Sequence, residues 1–161
     1  MPLIKANGIA DDLWTFVKDE EQLPPEGAII VTLARWQANR DQLAARPTPL
    51  GIRLKSDQAP STISGDIERF DVIALEFPKF TDGRAYSQAF LLRRRLGFQG
   101  EIRATGDVLI DQLVQMQRSG FDAAVLREGV DRGAAQRQFE RFSAFYQGDA
   151  VNPQPLFARA A

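Results

Sequence analysis

Short apolar runs recur between residues 28 and 126, and polar or turn-forming residues separate them. Runs of this length are typical of strands that are buried on both faces, as in a parallel sheet. They predict five strands, over residues 28–31, 50–54, 72–76, 101–104 and 123–126. Between the strands, apolar positions at helical spacing predict helices over residues 33–45, 64–69, 85–96, 108–119 and 133–146. The alternation predicts an α/β fold, with a mainly parallel five-stranded sheet flanked by helices.

Two architectures share this local pattern. A doubly wound sheet is the first expectation, and a partial (β/α) barrel is the alternative. Near the N-terminus, Leu3-Ile4 and residues 14–17 flank Asn7-Gly8, a dipeptide suited to a tight turn. This arrangement predicts a small antiparallel hairpin as an addition within residues 1–23. Residues 148–161 have no helical period and predict an extended tail, so residues 1–161 are interpreted as one α/β domain.

The densest group of polar side chains follows the strand predicted at residues 72–76. We call residues 77–87 the polar turn, and its candidate binding residues are Lys79, Thr81, Asp82, Arg84, Tyr86 and Ser87. Carboxyl ends of strands and N-termini of helices meet at such a junction, which favours binding of a small oxyanion. A structural explanation is also open: Asp82 caps the helix, and Arg84 pairs with Asp82 or Glu76.

A second polar turn, residues 103–107, follows the next predicted strand. Because consecutive parallel strands are often neighbours, Arg103, Gly106 and Asp107 are added to the candidate binding set. Helix capping by Thr105 or Asp107 is the structural alternative. The run Arg93-Arg94-Arg95 is interpreted mainly as a solvated helix face, with contact to an acidic partner as the alternative.

The composition limits the kinds of ligand and reaction that the chain can support. The chain has no His and no Cys and a net charge of −1, so it supplies neither haem nor iron–sulfur ligands and no basic footprint for nucleic acid. No metal site is predicted, and the cofactor stays open. With no apolar run long enough to cross a bilayer and no signal peptide, we expect a cytoplasmic protein without membrane contact. Any catalysis would rest on groups such as Lys79, Asp82 and Tyr86.

Three stretches together resemble domain-of-unknown-function family 934, whose bacterial members are described as oxidoreductases of sulfite reduction. These are the polar turn, GFQGEIRATGDVLIDQL (residues 97–113) and RSGFD (residues 118–122), where the family often has Cys in place of Ser119. The resemblance implies association with sulfite reductase in sulfur assimilation, and it carries over no catalytic residue.

Because the chain offers no redox-metal ligand, we expect an accessory protein of sulfite reduction. It would act by binding a small oxyanion or by contacting the sulfite reductase haemoprotein. The alternative is an oxidoreductase in the same pathway that uses a non-covalently bound flavin or nicotinamide. A cofactor-free lyase or isomerase using Lys79 and Asp82 is a third hypothesis.

Overall fold

The computed structural model describes residues 3–5, 8–79, 81–126, 133 and 137. Within these ranges the strands are β1 (Leu3–Lys5), β2 (Gly8–Ala10), β3 (Trp14–Phe16), β4 (Ala28–Thr32), β5 (Leu50–Leu54), β6 (Val72–Phe77), β7 (Glu101–Gly106) and β8 (Ala123–Val125). The helices are α1 (Leu33–Ala38), α2 (Arg40–Ala44), α3 (Arg84–Arg94) and α4 (Leu113–Ser119), with 3-10 helices at Pro60–Arg69 and Ile110–Gln112. None of the helices described is long and apolar enough to cross a membrane.

All eight of these strands belong to one sheet, in the order β2-β1-β8-β7-β6-β5-β4-β3. From β3 to β8 each strand pairs in parallel with the next one in the sequence. β1 runs antiparallel to both β8 and β2 and so forms an antiparallel edge. The predicted α/β class, the mainly parallel sheet and the N-terminal antiparallel pair are therefore confirmed.

The helices cover one face of the sheet. Alternate strand residues, such as Ile29, Ile52, Ile73 and Ile102, share a buried cluster with helix residues such as Leu43, Leu92, Leu113 and Met116. A doubly wound sheet would place helices on both faces and reverse its strand order at one point. Neither feature occurs among the described elements, so the architecture expected first does not form. The sequential strand order fits the alternative, a partial (β/α) barrel.

A three-residue linker, residues 11–13, shows that the sheet must curl strongly. We call this linker the strap; it joins the end of β2 to the start of β3, which are the two outermost strands of the sheet. In a flat sheet, seven strand spacings would separate these edges by about 34 Å. The four residue steps from Ala10 to Trp14 reach only about 14 Å even when fully extended. The sheet therefore curls into a partial barrel, with helices outside and a concave face inside.

The N-terminal prediction needs one correction. Lys5 pairs directly with Gly8, so the second arm of the hairpin is β2 and not residues 14–17. The register leaves a two-residue connection, which is the common length for a tight hairpin. The stretch expected as the second arm instead contains β3, which pairs in parallel with β4 at the opposite edge of the sheet.

The helix predictions also need corrections. The helix expected over residues 33–45 is interrupted at Asn39, although Thr32 caps it as predicted, accepting a hydrogen bond from the Arg35 N–H at 3.0 Å. Residues 64–69 lie in the longer 3-10 helix. Regular α-helix begins only at Leu113, well after residue 108, and ends at Gly120 in a left-handed conformation (φ 115°), the conformation a C-terminal glycine favours.

Other sequence predictions lie beyond what the structure describes. Residues 133 and 137 are helical, but most of the helix predicted over residues 133–146 and all of the tail at 148–161 lie outside the described residues. The division into one domain with two additions stays a prediction.

Candidate functional site

The concave face of the sheet encloses a cavity of about 320 Å³, which we call the barrel cavity. Its apolar wall includes Trp14, Phe16, Ile30 and Val125. Its polar lining includes Asp12, Arg53, Arg103 and Thr105. Phe16, Thr105 and Val125 occupy the last or second-last positions of their strands. The cavity therefore extends to the carboxyl ends of the parallel strands, the end at which (β/α) barrels bind their ligands.

Arg103 is the most deeply buried charge at the cavity, with only 2% of its surface exposed. Its Nη1 lies 2.8 Å from Asp12 Oδ1, and its Nη2 lies 2.9 Å from Glu101 Oε2. Glu101 Oε1 in turn lies 2.9 Å from Lys5 Nζ. A buried guanidinium needs such partners, because desolvation of an unpaired charge is very costly. The result is a chain of alternating charges that crosses the concave face.

Arg53 lies on the same face and is less completely paired. Its Nη2 is 3.3 Å from Glu76 Oε2, and its guanidinium lies 4.8 Å from the centroid of the Phe16 ring. Its Nε is buried and has no hydrogen-bond partner among the described residues. Leaving a buried donor unsatisfied costs about 1–3 kcal/mol. An acceptor atom on a bound ligand would remove that cost.

The polar turn lies outside the barrel cavity. Asp82 accepts the Arg84 backbone N–H at 3.0 Å and forms a two-point ion pair with the Arg84 guanidinium, whose Nη2–Oδ2 distance is 2.7 Å. The Arg84 guanidinium lowers the pKa of Asp82 to about 2. Lys79, Thr81 and Ser87 have exposed side chains. The ion-pair explanation offered for Asp82 and Arg84 is thus what the structure contains.

Tyr86 lies on the helix side of the sheet. Its ring packs edge-on against Phe77, with centroids 5.2 Å apart, and against Phe121 at 6.3 Å. The hydroxyl is buried and finds no hydrogen-bond partner among the described residues. Burial raises the pKa of Tyr86 to about 12, because the phenolate would be desolvated.

Replacing Tyr86 by Phe is expected to leave stability unchanged or to raise it by up to about 1 kcal/mol, since it removes an unsatisfied buried hydroxyl. The pKa of Tyr86 is about 12 in the folded protein and 10.0 in the unfolded chain. Between these two pH values, Tyr86 keeps its phenolic proton in the folded wild type and loses it in the unfolded chain. Stability contributed by this proton is present below pH 10 and is lost as pH rises towards 12. Urea titrations across this window should show a shallower alkaline decline for Tyr86→Phe. A clear loss of stability at neutral pH would show instead that the hydroxyl is bonded.

The second polar turn meets the first through the backbone. The Asp107 N–H donates to the Phe77 carbonyl at 2.7 Å, and Gly106 has φ 88°. The Thr105 hydroxyl donates to the Leu75 carbonyl at 3.3 Å. Of the nine residues in the predicted binding set, Arg103 and Gly106 line the barrel cavity, whereas Asp107 and the six residues of the polar turn do not.

The sequence interpretation missed Asp12, Arg53 and the aromatic wall. One feature of the sequence could have identified Arg53 as a candidate: it is the single charged residue in β5. Charged residues rarely occur inside a buried strand without a partner or a ligand. Trp14 and Phe16 were missed because they were assigned to the hairpin.

The arginine run is only partly a solvated face. Arg93 donates hydrogen bonds to the carbonyls of Phe98 (2.9 Å), Gly100 (2.7 Å) and Gly120 (3.0 Å), and it pairs with Asp122. It therefore fixes the loops at the amino ends of β7 and β8, while its two neighbours in the run are exposed. Desolvation raises the pKa of Asp122.

Comparison with known protein families gives a match over most of the chain. Residues 51–157, well over half of the chain, match a family model described as "Bacterial protein of unknown function (DUF934)". Neither a curated protein nor a solved structure matches. The matched range begins at the second residue of β5 and extends past β8, and so includes Arg53, Arg103 and the polar turn.

Proposed function

The chain belongs to the bacterial family of unknown function DUF934, and from this premise we propose that it is a cytoplasmic accessory protein of sulfite reduction that binds a small oxyanion in the barrel cavity. The sequence resemblance supports the pathway part of this proposal. The observation that carries the binding proposal is that two arginines, Arg53 and Arg103, line one cavity on the concave face of the sheet.

The chemistry of these side chains suits an oxyanion. A guanidinium group presents several N–H donors in a plane and forms strong, charge-assisted hydrogen bonds to oxyanions. The Arg53 Nε still lacks an acceptor among the described residues. The hydroxyl of Thr105 lines the same space. Arg103 was already in the predicted binding set, so the proposal keeps that residue and moves its partners from the polar turn to the concave face.

Calorimetric titration of the purified protein with sulfite and with sulfate tests the binding proposal. The wild type is expected to bind at least one of them at a single site. The variant Arg53→Gln should bind about tenfold more weakly or worse, because it loses a charge-assisted hydrogen bond. Arg94→Gln is the matched control, since it removes the same charge from an exposed position on α3. Absence of binding to the wild type, or equal losses in both variants, would contradict the proposal.

Contact with the sulfite reductase haemoprotein is the second part of the proposal, and it needs a separate test. We expect the two proteins to co-purify when expressed together, and reductase activity to fall when this chain is deleted from its host. Normal assembly and an unchanged reductase rate after deletion would contradict an accessory role even if an oxyanion binds.

The alternative function is an oxidoreductase with a non-covalently bound flavin or nicotinamide. It is favoured by Trp14 and Phe16, because their aromatic rings line the barrel cavity and could pack against a flat ligand ring. Titration of the pure protein with each cofactor, followed by tryptophan fluorescence, separates the two functions. Saturable cofactor binding that Trp14→Leu weakens would favour the oxidoreductase, and a protein that binds neither cofactor would remove it.

A further inference from the structure

The strap carries one carboxylate into the barrel cavity. Asp12 Oδ1 accepts from Arg103 Nη1 at 2.8 Å and from the Trp14 N–H at 3.0 Å. The two other strap residues, Asp11 and Leu13, are exposed, and Leu13 is 82% exposed. Asp12 is therefore the residue that fixes the strap to the barrel.

Arg103 depends on Asp12 for its charge balance. Its other carboxylate partner, Glu101, lies on the same strand and is shared with Lys5. If Asp12 were removed, Lys5, Glu101 and Arg103 would leave one positive charge without a counter-charge inside the barrel. A bound anion would restore the balance in the same place.

The exposure of these groups shows where an anion could enter. Arg103 is almost completely buried, so a solute can reach its Nη1 only if a neighbouring group moves. Glu101 is held within β7, whereas Asp12 lies on an irregular three-residue segment. The Asp12 side chain is also the more exposed of the two carboxylates, at 22% against 16%. Asp12 is thus the partner that can be displaced at lower cost.

We propose that the carboxylate of Asp12 occupies the anion subsite of the barrel cavity, and that a bound oxyanion displaces it from Arg103 Nη1 and releases the strap. This inference rests on the proposed anion binding. It adds that the empty site is closed by the chain's own carboxylate. The ligand class is an oxyanion that can replace a carboxylate, either inorganic or carried on an apolar group that packs against Trp14.

The variants Asp12→Asn and Asp11→Asn form a matched pair, because they remove the same charge at adjacent positions. Without the internal competitor, Asp12→Asn should bind sulfite at least about tenfold more tightly than the wild type. Its melting temperature should be lower without sulfite and should rise more on sulfite addition. Asp11→Asn should match the wild type in both measurements. Equal or weaker binding by Asp12→Asn would overturn the proposal.

Hydrogen exchange supplies a readout of the strap itself. The Trp14 N–H is bonded to Asp12 in the ligand-free protein, so saturating sulfite should make this amide exchange faster in the wild type. The same amide should already exchange fast in Asp12→Ala, which has no side-chain acceptor for it. Unchanged protection of Trp14 in the saturated wild type would overturn the displacement.

The probes distinguish the ligand sources and the two proposals. Tighter binding of benzenesulfonate than of sulfite or sulfate would assign an organic anion, and the reverse order an inorganic one; either order supports displacement if Asp12→Asn strengthens binding. If the wild type binds and Arg53→Gln weakens binding while Asp12→Asn does not strengthen it, anion binding stands and displacement is wrong. If neither the wild type nor Asp12→Asn binds any of these anions, both proposals are wrong.

Discussion

Gly106→Ala is expected to destabilise the protein by at least about 3 kcal/mol, because it combines an unfavourable backbone angle with a steric clash. Gly106 has φ 88°, and a Cβ at this position would lie 2.4 Å from the carbonyl oxygen of Phe77. That oxygen cannot move aside easily, because Phe77 is fully buried and paired with Gly106 in the sheet. Urea denaturation followed by circular dichroism measures the effect.

Gly65→Ala is the control for this substitution. A Cβ at Gly65 would meet nothing within 4 Å, so its stability should stay within about 1 kcal/mol of the wild type. If Gly106→Ala were equally mild, β6 and β7 could not approach as closely as described.

Arg103→Met is expected to cost about 3–5 kcal/mol, the usual range when one partner of a buried ion pair is removed. Asp12 would lose its charged partner, and Glu101 would retain only Lys5. Adding Asp12→Asn should recover part of the loss, because it removes the unpaired carboxylate. Denaturation of the single and double variants measures this coupling.

The exposed Arg94→Met should change stability by less than about 0.5 kcal/mol and is the matched control. A loss below about 1 kcal/mol for Arg103→Met would mean that the charges on the concave face are hydrated and not buried. Oxyanion binding should also disappear in any Arg103→Met protein that remains folded.

The strands of the central sheet were predictable because each is a local apolar run. The same locality made the pairing of Asp82 with Arg84 predictable, since these residues are two positions apart. The prediction misplaced β3 because this strand has only three residues, with the polar Thr15 at its centre. So short a segment does not indicate which strand it pairs with. The pairing of β3 depends on the closure of the whole sheet.

For the same reason, most of the barrel cavity could not be predicted from the sequence. Asp12 and Arg103 are 91 positions apart and meet because the strap joins the two outermost strands. Arg53 reaches the same space through the register that places it beside Ala74, which pairs with Arg103. Arg103 and Gly106 could be proposed in advance because strand ends in α/β proteins are general ligand positions. The residues that surround Arg103 and Gly106 in the structure depend on which face of the sheet each strand residue occupies.

The antiparallel seam between β1 and β8 has a consequence for the order of folding. From β3 to β8 each strand can add to the one before it, and such near-neighbour pairings close short loops at low entropic cost. The seam instead pairs Leu3 with Val125, and so must bring together segments from distant parts of the sequence. Rates of folding fall as such distant contacts increase. The open sheet should therefore form first, and closure of the seam, together with docking of Asp12, should be the late step that creates the cavity.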